Sequence, residues 1–170
     1  MRTQARPAAA GYPFAVDLVA EMHAIAAALD GAGIVYAVCG GVAVTAYGAP
    51  RSTDDLDILV APEDVPSALE AVRPLGYVFA ALPLRFDEGT HRERTVQRVT
   101  KVDEGAHLVL DLINATGPFE GSLRDAIEVR LPDGPLRLVS KLTLLEMKRL
   151  AGRAKDLADI EALEAVEDDS

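Results

Sequence analysis

The stretch CGGVAVTAYGAPRSTDDLDILV, residues 39–60, joins a glycine pair to two aspartates that flank a single leucine. Thirteen residues separate Gly41 from Asp55. In a β-strand, side chains two residues apart point to one face, so Asp55 and Asp57 are predicted to project together, opposite Leu56. Two such carboxylates at the start of an apolar strand would repel each other, and a divalent cation such as Mg²⁺ would offset that repulsion. The alternative is an exposed acidic strand edge.

The residues before the aspartates are predicted to form a strand, a tight turn and a short helix. The β-branched run IVYAV, residues 34–38, indicates a buried strand that turns at Gly40-Gly41 into a helix over 42–47. Backbone N–H groups exposed at such a turn suit a phosphate, although many ordinary turns also contain Gly-Gly. Arg51 is close enough to reach a phosphate, and Thr53 to support Asp55 by a hydrogen bond.

A third acid, Asp111, is the only charged residue in the apolar run HLVLDLI, residues 107–113. A lone carboxylate inside an apolar strand needs a partner. If that strand lies beside residues 56–60, the three acids converge, so Asp111 is predicted to have a catalytic or metal-linked role.

The rest of the chain predicts a fold of the α/β (α+β) class, with a small mixed β-sheet flanked by helices and a C-terminal helical pair. Residues 1–13 are predicted as a loose lead-in and 14–170 as a single domain. The other predicted elements are helices over 16–29, 62–73, 122–126, 140–151 and 154–166, a hairpin that turns at 103–105, and a strand pair that turns at 132–134.

Composition restricts the classes of function. The 170 residues are 49% hydrophobic and have a formal net charge of −10, which argues against extensive binding to DNA or another nucleic-acid backbone. The single cysteine and the lack of a signal-peptide pattern favour the cytoplasm. No apolar run approaches the roughly 20 residues that span a bilayer, so no membrane partner is expected.

The basic residues cluster near the C-terminus, where 137–155 contain six Lys or Arg. Lys148 borders the apolar side of its predicted helix and suits an anion, with an ordinary snorkelling lysine as the alternative. Arg153 could clamp a phosphate. Asp156 and the lower-ranked Asp159 share one helix face, where they could instead favour the helix dipole and pair with bases.

Three further arginines, Arg92, Arg94 and Arg98, lie on the strand of the predicted hairpin that precedes its turn. They are predicted to form a solvated strand face, with a nucleotide or acceptor contact as the alternative.

Gly40-Gly41, the thirteen-residue gap, Asp55-Leu56-Asp57 and Asp111 together resemble the signature of the DNA polymerase β-like nucleotidyltransferase superfamily. More narrowly, GG.A...YG..R.T.DLDI.V and MKRLAGRAKDLADIEAL resemble the small prokaryotic minimal nucleotidyltransferases, akin to the toxin nucleotidyltransferases of abortive-infection (type IV) toxin–antitoxin systems. The resemblance covers about residues 34–166.

The resemblance implies a nucleotidyltransferase fold and an enzyme of the EC 2.7.7 type, which transfers NMP from an NTP to a hydroxyl and releases pyrophosphate. It implies two Mg²⁺ ions, with Mn²⁺ as the alternative, and a third carboxylate that draws the proton from the acceptor hydroxyl. The implied catalytic residues are Asp55, Asp57, Asp111 and Lys148, the first three of which would bind metal; the implied nucleotide-binding residues are Gly40, Gly41, Arg51, Thr53, Lys148, Arg153 and Asp156.

The implied partners are an NTP, an acceptor that is RNA such as a tRNA 3′ end, a protein or a small molecule, and an antitoxin protein. Two other functions stay open at this point. One is a non-catalytic nucleotide- or partner-binding module of the same fold, since fold does not determine function. The other is a metal-dependent phosphohydrolase that uses the same carboxylates on water.

Overall fold

A computed structural model describes residues 17–167 of the chain. The lead-in predicted over 1–13 lies outside the described residues. The helices are α1 Leu18–Gly31, α2 Gly40–Ala46, α3 Val65–Val72, α4 Lys141–Ala151 and α5 Ala154–Ala165. The strands are β1 Tyr36–Cys39, β2 Asp55–Val60, β3 Phe79–Ala80, β4 Leu84–Phe86, β5 Arg94–Asp103, β6 Ala106–Asn114, β7 Ile127–Leu131 and β8 Gly134–Leu138.

The strands form one mixed sheet in the order β3-β5-β6-β2-β1-β8-β7, and β4 pairs with β5 beside β3. The pairs β2–β6 and β1–β8 are parallel, and the other neighbours are antiparallel. The mixed sheet with flanking helices and the C-terminal helical pair α4–α5 are therefore confirmed. The parallel pairing of β2 with β6 places residues from two distant parts of the chain side by side.

The hydrophobic core lies where helices cover the sheet. Buried apolar side chains of α1, such as Met22 and Leu29, belong to the same cluster as Leu56 of β2 and Leu112 of β6. The start of α1 is stabilised by Asp17, whose carboxylate accepts the backbone N–H groups of the helix's first turn at 3.1 Å.

The hairpin and the strand pair appear where the sequence predicts them. Glu104 and Gly105 both have positive φ, as the two-residue turn between β5 and β6 requires, so Asp103 pairs directly with Ala106. The helix predicted over 62–73 is present as α3 with a turn of 3₁₀-helix at each end.

The short helix predicted over 122–126 is wrong. A single 3₁₀ turn, Gly117–Phe119, lies before it, and 120–125 form turns. Pro118 favours the start of a helical turn, but this turn ends at Phe119, and Gly121 then takes a φ of +83°. Strands β3 and β4 are additional elements that the sequence did not predict. Within 17–167, no helix combines the length and apolar character needed to cross a bilayer.

We expect Leu112→Ala to lower the free energy of unfolding by about 2–5 kcal/mol, because it leaves a cavity in a central strand. Leu112 has no exposed surface. Urea unfolding followed by circular dichroism measures the change. The matched control is Leu142→Ala, since Leu142 in α4 is 65% exposed and its loss should cost about 0.5 kcal/mol or less. Equal effects of the two variants would contradict this account of the core.

Candidate functional site

The three acids meet at the centre of the sheet. In the parallel register of β2 and β6, Asp57 lies directly beside Asp111, and Asp55 precedes Asp57 by two positions on the same face. The predicted convergence of the two strands is confirmed. Like charges at this separation repel strongly, so the surrounding groups must compensate for them.

The glycine pair lies against these acids and approaches them closely. Gly40 has a φ of +63°, and a Cβ there would collide with the carboxylate of Asp57. A Cβ on Gly41 would lie 2.6 Å from the Thr53 hydroxyl oxygen and 3.0 Å from a guanidinium nitrogen of Arg51. Both positions therefore need glycine, because any side chain would displace a predicted site residue.

Thr53 supports the start of β2 through the main chain. Its hydroxyl donates a hydrogen bond to the backbone carbonyl of Asp55 at 3.2 Å. The support predicted for Asp55 is present, although the backbone oxygen accepts this bond and not the side chain.

Asp111 is bound by an arginine from the neighbouring strand. Arg98 of β5 lies opposite Asp111, and its Nε and one terminal nitrogen donate to the two carboxylate oxygens at 2.8 Å each. The hydrogen bond to Asp111 raises the pKa of Arg98 above its ordinary value. The solvated strand face predicted for Arg98 is incomplete, because this side chain is 40% exposed but also forms a bidentate ion pair with the third acid.

A charge cluster around two buried aspartates links the two C-terminal helices. We define this charge cluster as Arg51, Lys148, Arg153, Asp156 and Asp159. Asp156 is fully buried and Asp159 is 3% exposed. Burial of two carboxylates is costly unless cations pair with them, so the five residues depend on one another.

Lys148 connects the two buried aspartates, since its Nζ lies 3.4 Å from Asp156 Oδ1 and 2.8 Å from Asp159 Oδ2. Arg51 Nε lies 2.8 Å from the other oxygen of Asp159. The C-terminal helices are thereby joined to the connection that precedes β2. Lys148 is 6% exposed, which excludes the alternative of an ordinary snorkelling lysine.

Arg153 and Asp156 together cap α5. Asp156 accepts the backbone N–H of Arg153 at 3.1 Å and its side-chain Nε at 2.7 Å. Burial acts to raise the pKa of Asp156, but the hydrogen bond from Arg153 and the charges of Lys148 and Arg153 outweigh it and hold that pKa below its usual value. The predicted alternative, in which Asp156 stabilises a helix start and pairs with bases, is present in the structure.

The surroundings of Asp57 disfavour the ionised form of its carboxyl group. Burial, followed by the charges of Asp111 and Asp55, raises the pKa of Asp57 to about 6, against the opposing charges of Lys148 and Lys155. Burial and the charge of Asp57 also raise the pKa of the neighbouring thiol of Cys39. A group with such a raised pKa beside other acids is a typical feature of functional sites.

These groups surround one cleft of about 320 Å³. Nine of the ten predicted site residues line it, namely Gly40, Arg51, Thr53, Asp55, Asp57, Asp111, Lys148, Arg153 and Asp156. Gly41 does not, because its α-carbon faces Thr53 and Arg51. The cleft also contains Arg98 and Lys155, which were not among the predicted site residues.

The donor set suits a divalent cation in part. Within residues 17–167, neither Asp55 nor Asp57 has an ion-pair partner within 4 Å, so both carboxylates remain available to a hard cation. Both carboxylate oxygens of Asp111 accept hydrogen bonds from Arg98. Accordingly, no group of three or more His, Cys, Asp or Glu in that part of the chain is arranged as a metal site.

No family model matches the chain, and no curated protein matches it. Solved structures are similar in fold. The lincosamide antibiotic adenylyltransferase LnuA, in a lincomycin-bound structure, is 16% identical with a TM-score of 0.58, covering 87% of this chain and 97% of its own.

Two other solved structures agree with this match. ANT(2″)-Ia, in complex with adenylyl-2″-tobramycin, is 17% identical with a TM-score of 0.58, covering 86% of this chain and 87% of its own. The Thermotoga maritima protein TM1012 is 11% identical with a TM-score of 0.59, covering 89% and 94%. The chain therefore has the nucleotidyltransferase fold.

We expect Asp57→Asn to raise the free energy of unfolding of the metal-free protein near pH 7 by about 1–3 kcal/mol. The pKa of Asp57 is about 6 in the folded chain and about 3.9 when unfolded. The folded state therefore binds more protons between these values, and the wild type loses stability as the pH rises through them. Asparagine does not ionise, so the difference between the proteins should vanish below about pH 4.

Urea titrations with EDTA across this pH range measure that difference. Asp54→Asn is the matched control, because Asp54 is the exposed neighbour of the same strand start. A stability difference between wild type and Asp57→Asn that does not change with pH would contradict the assignment.

We expect Asp159→Asn to lower the free energy of unfolding by about 3 kcal/mol, because Lys148 and Arg51 lose the charge of their nearest carboxylate. The matched control is Glu164→Gln, since Glu164 pairs with Arg149 at 2.9 Å while 55% exposed and should change stability by about 1 kcal/mol or less. Thermal and urea unfolding measure both. Similar losses in the two variants would show that burial does not strengthen the charge cluster.

Proposed function

We propose that this chain, which has the nucleotidyltransferase fold, is a metal-dependent enzyme that transfers NMP from an NTP to an acceptor hydroxyl. One observation supports the proposal above the others. Asp55 and Asp57 remain available in a cleft that also contains Asp111 and a set of basic side chains. Available carboxylates beside lysine and arginine side chains suit a metal–triphosphate, whose cation binds acids and whose phosphates bind bases.

In this proposal Asp55 and Asp57 hold Mg²⁺, or Mn²⁺ in its place, with Asp111 as the third acid. Divalent cations at this position stabilise the charge that develops on the attacking and leaving oxygens during in-line phosphoryl transfer. A bound cation would also offset the charges of Asp111 and Asp55, which raise the pKa of Asp57 in addition to burial.

The chain's own residues bind and orient the triphosphate. Gly40 keeps the main chain close to Asp57, so phosphate oxygens can approach both the backbone and the acids. Arg51, Lys148 and Arg153 supply basic groups from positions at which each is paired with a buried aspartate. Lys155 is a further cation that lines the same cleft. The attack on the α-phosphorus then expels pyrophosphate towards these bases.

Asp111 accepts the proton of the acceptor hydroxyl. Arg98 fixes the orientation of its carboxylate through two hydrogen bonds of 2.8 Å, which turn the carboxylate towards β5. The acceptor oxygen must therefore approach from the side of the cleft that β5 and β6 form.

In this proposal the acceptor is RNA, a protein or a small molecule. An antitoxin partner would require a binding surface for a second chain. LnuA and ANT(2″)-Ia are described with antibiotics, which favours a small molecule here. The resemblance to toxin nucleotidyltransferases favours RNA, against which the net charge of −10 argues.

A non-catalytic binding module is the second candidate, and the Arg98–Asp111 pair favours it. Both oxygens of the third acid are bound to Arg98, and the described residues contain no metal site of three ligands. A protein that bound nucleotide without turnover would tolerate this arrangement.

We expect Asp55→Asn to abolish transfer, by at least about a thousandfold, because it removes one of the two carboxylates that have no ion-pair partner. The measurement incubates the protein with α-phosphate-labelled NTPs, Mg²⁺ and cell extract, and resolves labelled RNA, protein and small molecules. Asp54→Asn, one residue earlier and exposed, is the matched control and should retain wild-type labelling.

Pyrophosphate release separates transfer from hydrolysis of the γ-phosphate. Label in the wild type and Asp54→Asn alone supports the proposal. Nucleotide binding by the wild type, measured by calorimetry, with no label from any NTP would support the binding module.

A further inference from the structure

The sheet face beyond Asp111 extends the cleft towards its edge in a regular pattern. Val96 and Arg98 alternate along β5 on the face that carries Asp111, and Val96 lies opposite Ile113 of β6. On the other side of β5, Leu84 of β4 lies opposite Val96, and Phe86 opposite Arg94. Residues that oppose each other or lie two apart share a face, so all of them project beside the third acid.

Four of these side chains form an apolar surface, which we call the shelf: Leu84, Phe86, Val96 and Ile113. All four line the cleft. Leu84 is 37% and Phe86 43% exposed. Exposed apolar area at the wall of a cleft typically marks a place where a ligand binds.

The charges at the shelf are positive, and protein carboxylates already pair with them. Arg98 holds Asp111. Arg94 pairs with Asp87 at 2.7 Å and lies over the Phe86 ring at 5.5 Å from its centre. The other acids that line the cleft, Asp55, Asp57 and Asp156, lie on β2 and α5 and not on the shelf. The shelf therefore offers apolar contact and hydrogen-bond donors, but no unpaired carboxylate for an ammonium group.

The position of the shelf assigns it to the acceptor. In the proposed function, on which this inference rests, the acceptor hydroxyl loses its proton to Asp111. A molecule whose hydroxyl reaches Asp111 has the rest of its body over Ile113 and Val96, the next side chains along the same face. The basic residues of the charge cluster lie on the connection before β2 and on α4 and α5, which leaves the shelf free of the triphosphate.

We infer that the shelf is an acceptor subsite for a small hydroxyl compound with a flat apolar body and no cluster of amines. Apolar stacking on Phe86 and contact with the aliphatic side chains would bind that body, and Asp111 would select its hydroxyl. A polyamine sugar such as tobramycin is disfavoured, because the four apolar side chains of the shelf offer no partner for its ammonium groups and the adjacent Asp87 and Asp111 are already paired with arginines.

The test measures binding without turnover, so that its failure is distinct from failure of the proposed transfer. The probes are 1-naphthyl glucoside, which is aromatic, uncharged and hydroxylated, and tobramycin. Calorimetry and ligand-observed NMR titrate each probe into the whole protein with Mg²⁺ and a non-hydrolysable ATP analogue. We expect the glucoside to bind the wild type roughly tenfold more tightly than tobramycin does, and Phe86→Ala to weaken glucoside binding about tenfold.

Two variants complete the test. Phe79→Ala removes a phenylalanine that is 60% exposed on β3 and does not line the cleft, and it should leave glucoside binding unchanged. Leu84→Glu places a carboxylate on the shelf, and it should strengthen tobramycin binding about tenfold while it weakens glucoside binding.

Three results would overturn the inference: tighter binding of tobramycin than of the glucoside to the wild type, equal loss of glucoside binding in Phe79→Ala and Phe86→Ala, or no glucoside binding at all. A short single-stranded RNA that binds more tightly than the glucoside, with the same loss in Phe86→Ala, would assign the shelf to a nucleobase and overturn the small-molecule class.

Discussion

The repulsion between Asp57 and Asp111 is the constraint on which the rest of the structure depends. Parallel pairing of β2 with β6 places the two carboxylates side by side at the centre of a sheet, where water screens them poorly. The chain responds from two directions. Arg98 binds Asp111 from the next strand, and Lys148 and Lys155 act on Asp57 from the C-terminal segment.

In the charge cluster, buried acids determine where the basic side chains lie. A lysine that binds a ligand in a cleft must not be held by one carboxylate at the entrance of that cleft. Lys148 instead lies between two buried carboxylates, and Arg51 holds one of them from the opposite side. The positions of the cations are therefore set by two buried acids, of which Asp156 lines the cleft and Asp159 does not. Asp159, ranked below Asp156 on sequence grounds, makes the shorter contact with Lys148 and the only ion pair with Arg51 among the described residues.

Much of this arrangement is predictable because local rules apply. Alternation along β2 predicts that Asp55 and Asp57 share a face, and the isolated charge in β6 predicts the third acid. The role of Arg98 was missed, although a signal existed. A two-residue turn at Glu104-Gly105 pairs Asp103 with Ala106, and counting back along both strands places Arg98 opposite Asp111.

Other features depend on contacts that are distant in sequence. No local pattern predicts that β4 pairs beside β3 on β5, since β3 and β4 are only two and three residues long and mostly exposed. The ion pair between Asp159 and Arg51 was also not predictable from a local pattern, because the two residues lie more than a hundred positions apart. The short helix predicted over 122–126 is replaced by turns.

The parallel pairing of β2 with β6 also determines when the cleft can form. Asp57 and Asp111 are 54 positions apart, and Lys148 comes 91 positions after Asp57. Such long-range contacts impose a high contact order, which slows folding because large loops must close before the contacts form. During synthesis the two acids leave the ribosome well before Lys148 and Lys155. A nascent chain therefore carries its acidic pair without the neighbouring bases, and the cleft is complete only when the last helix has docked.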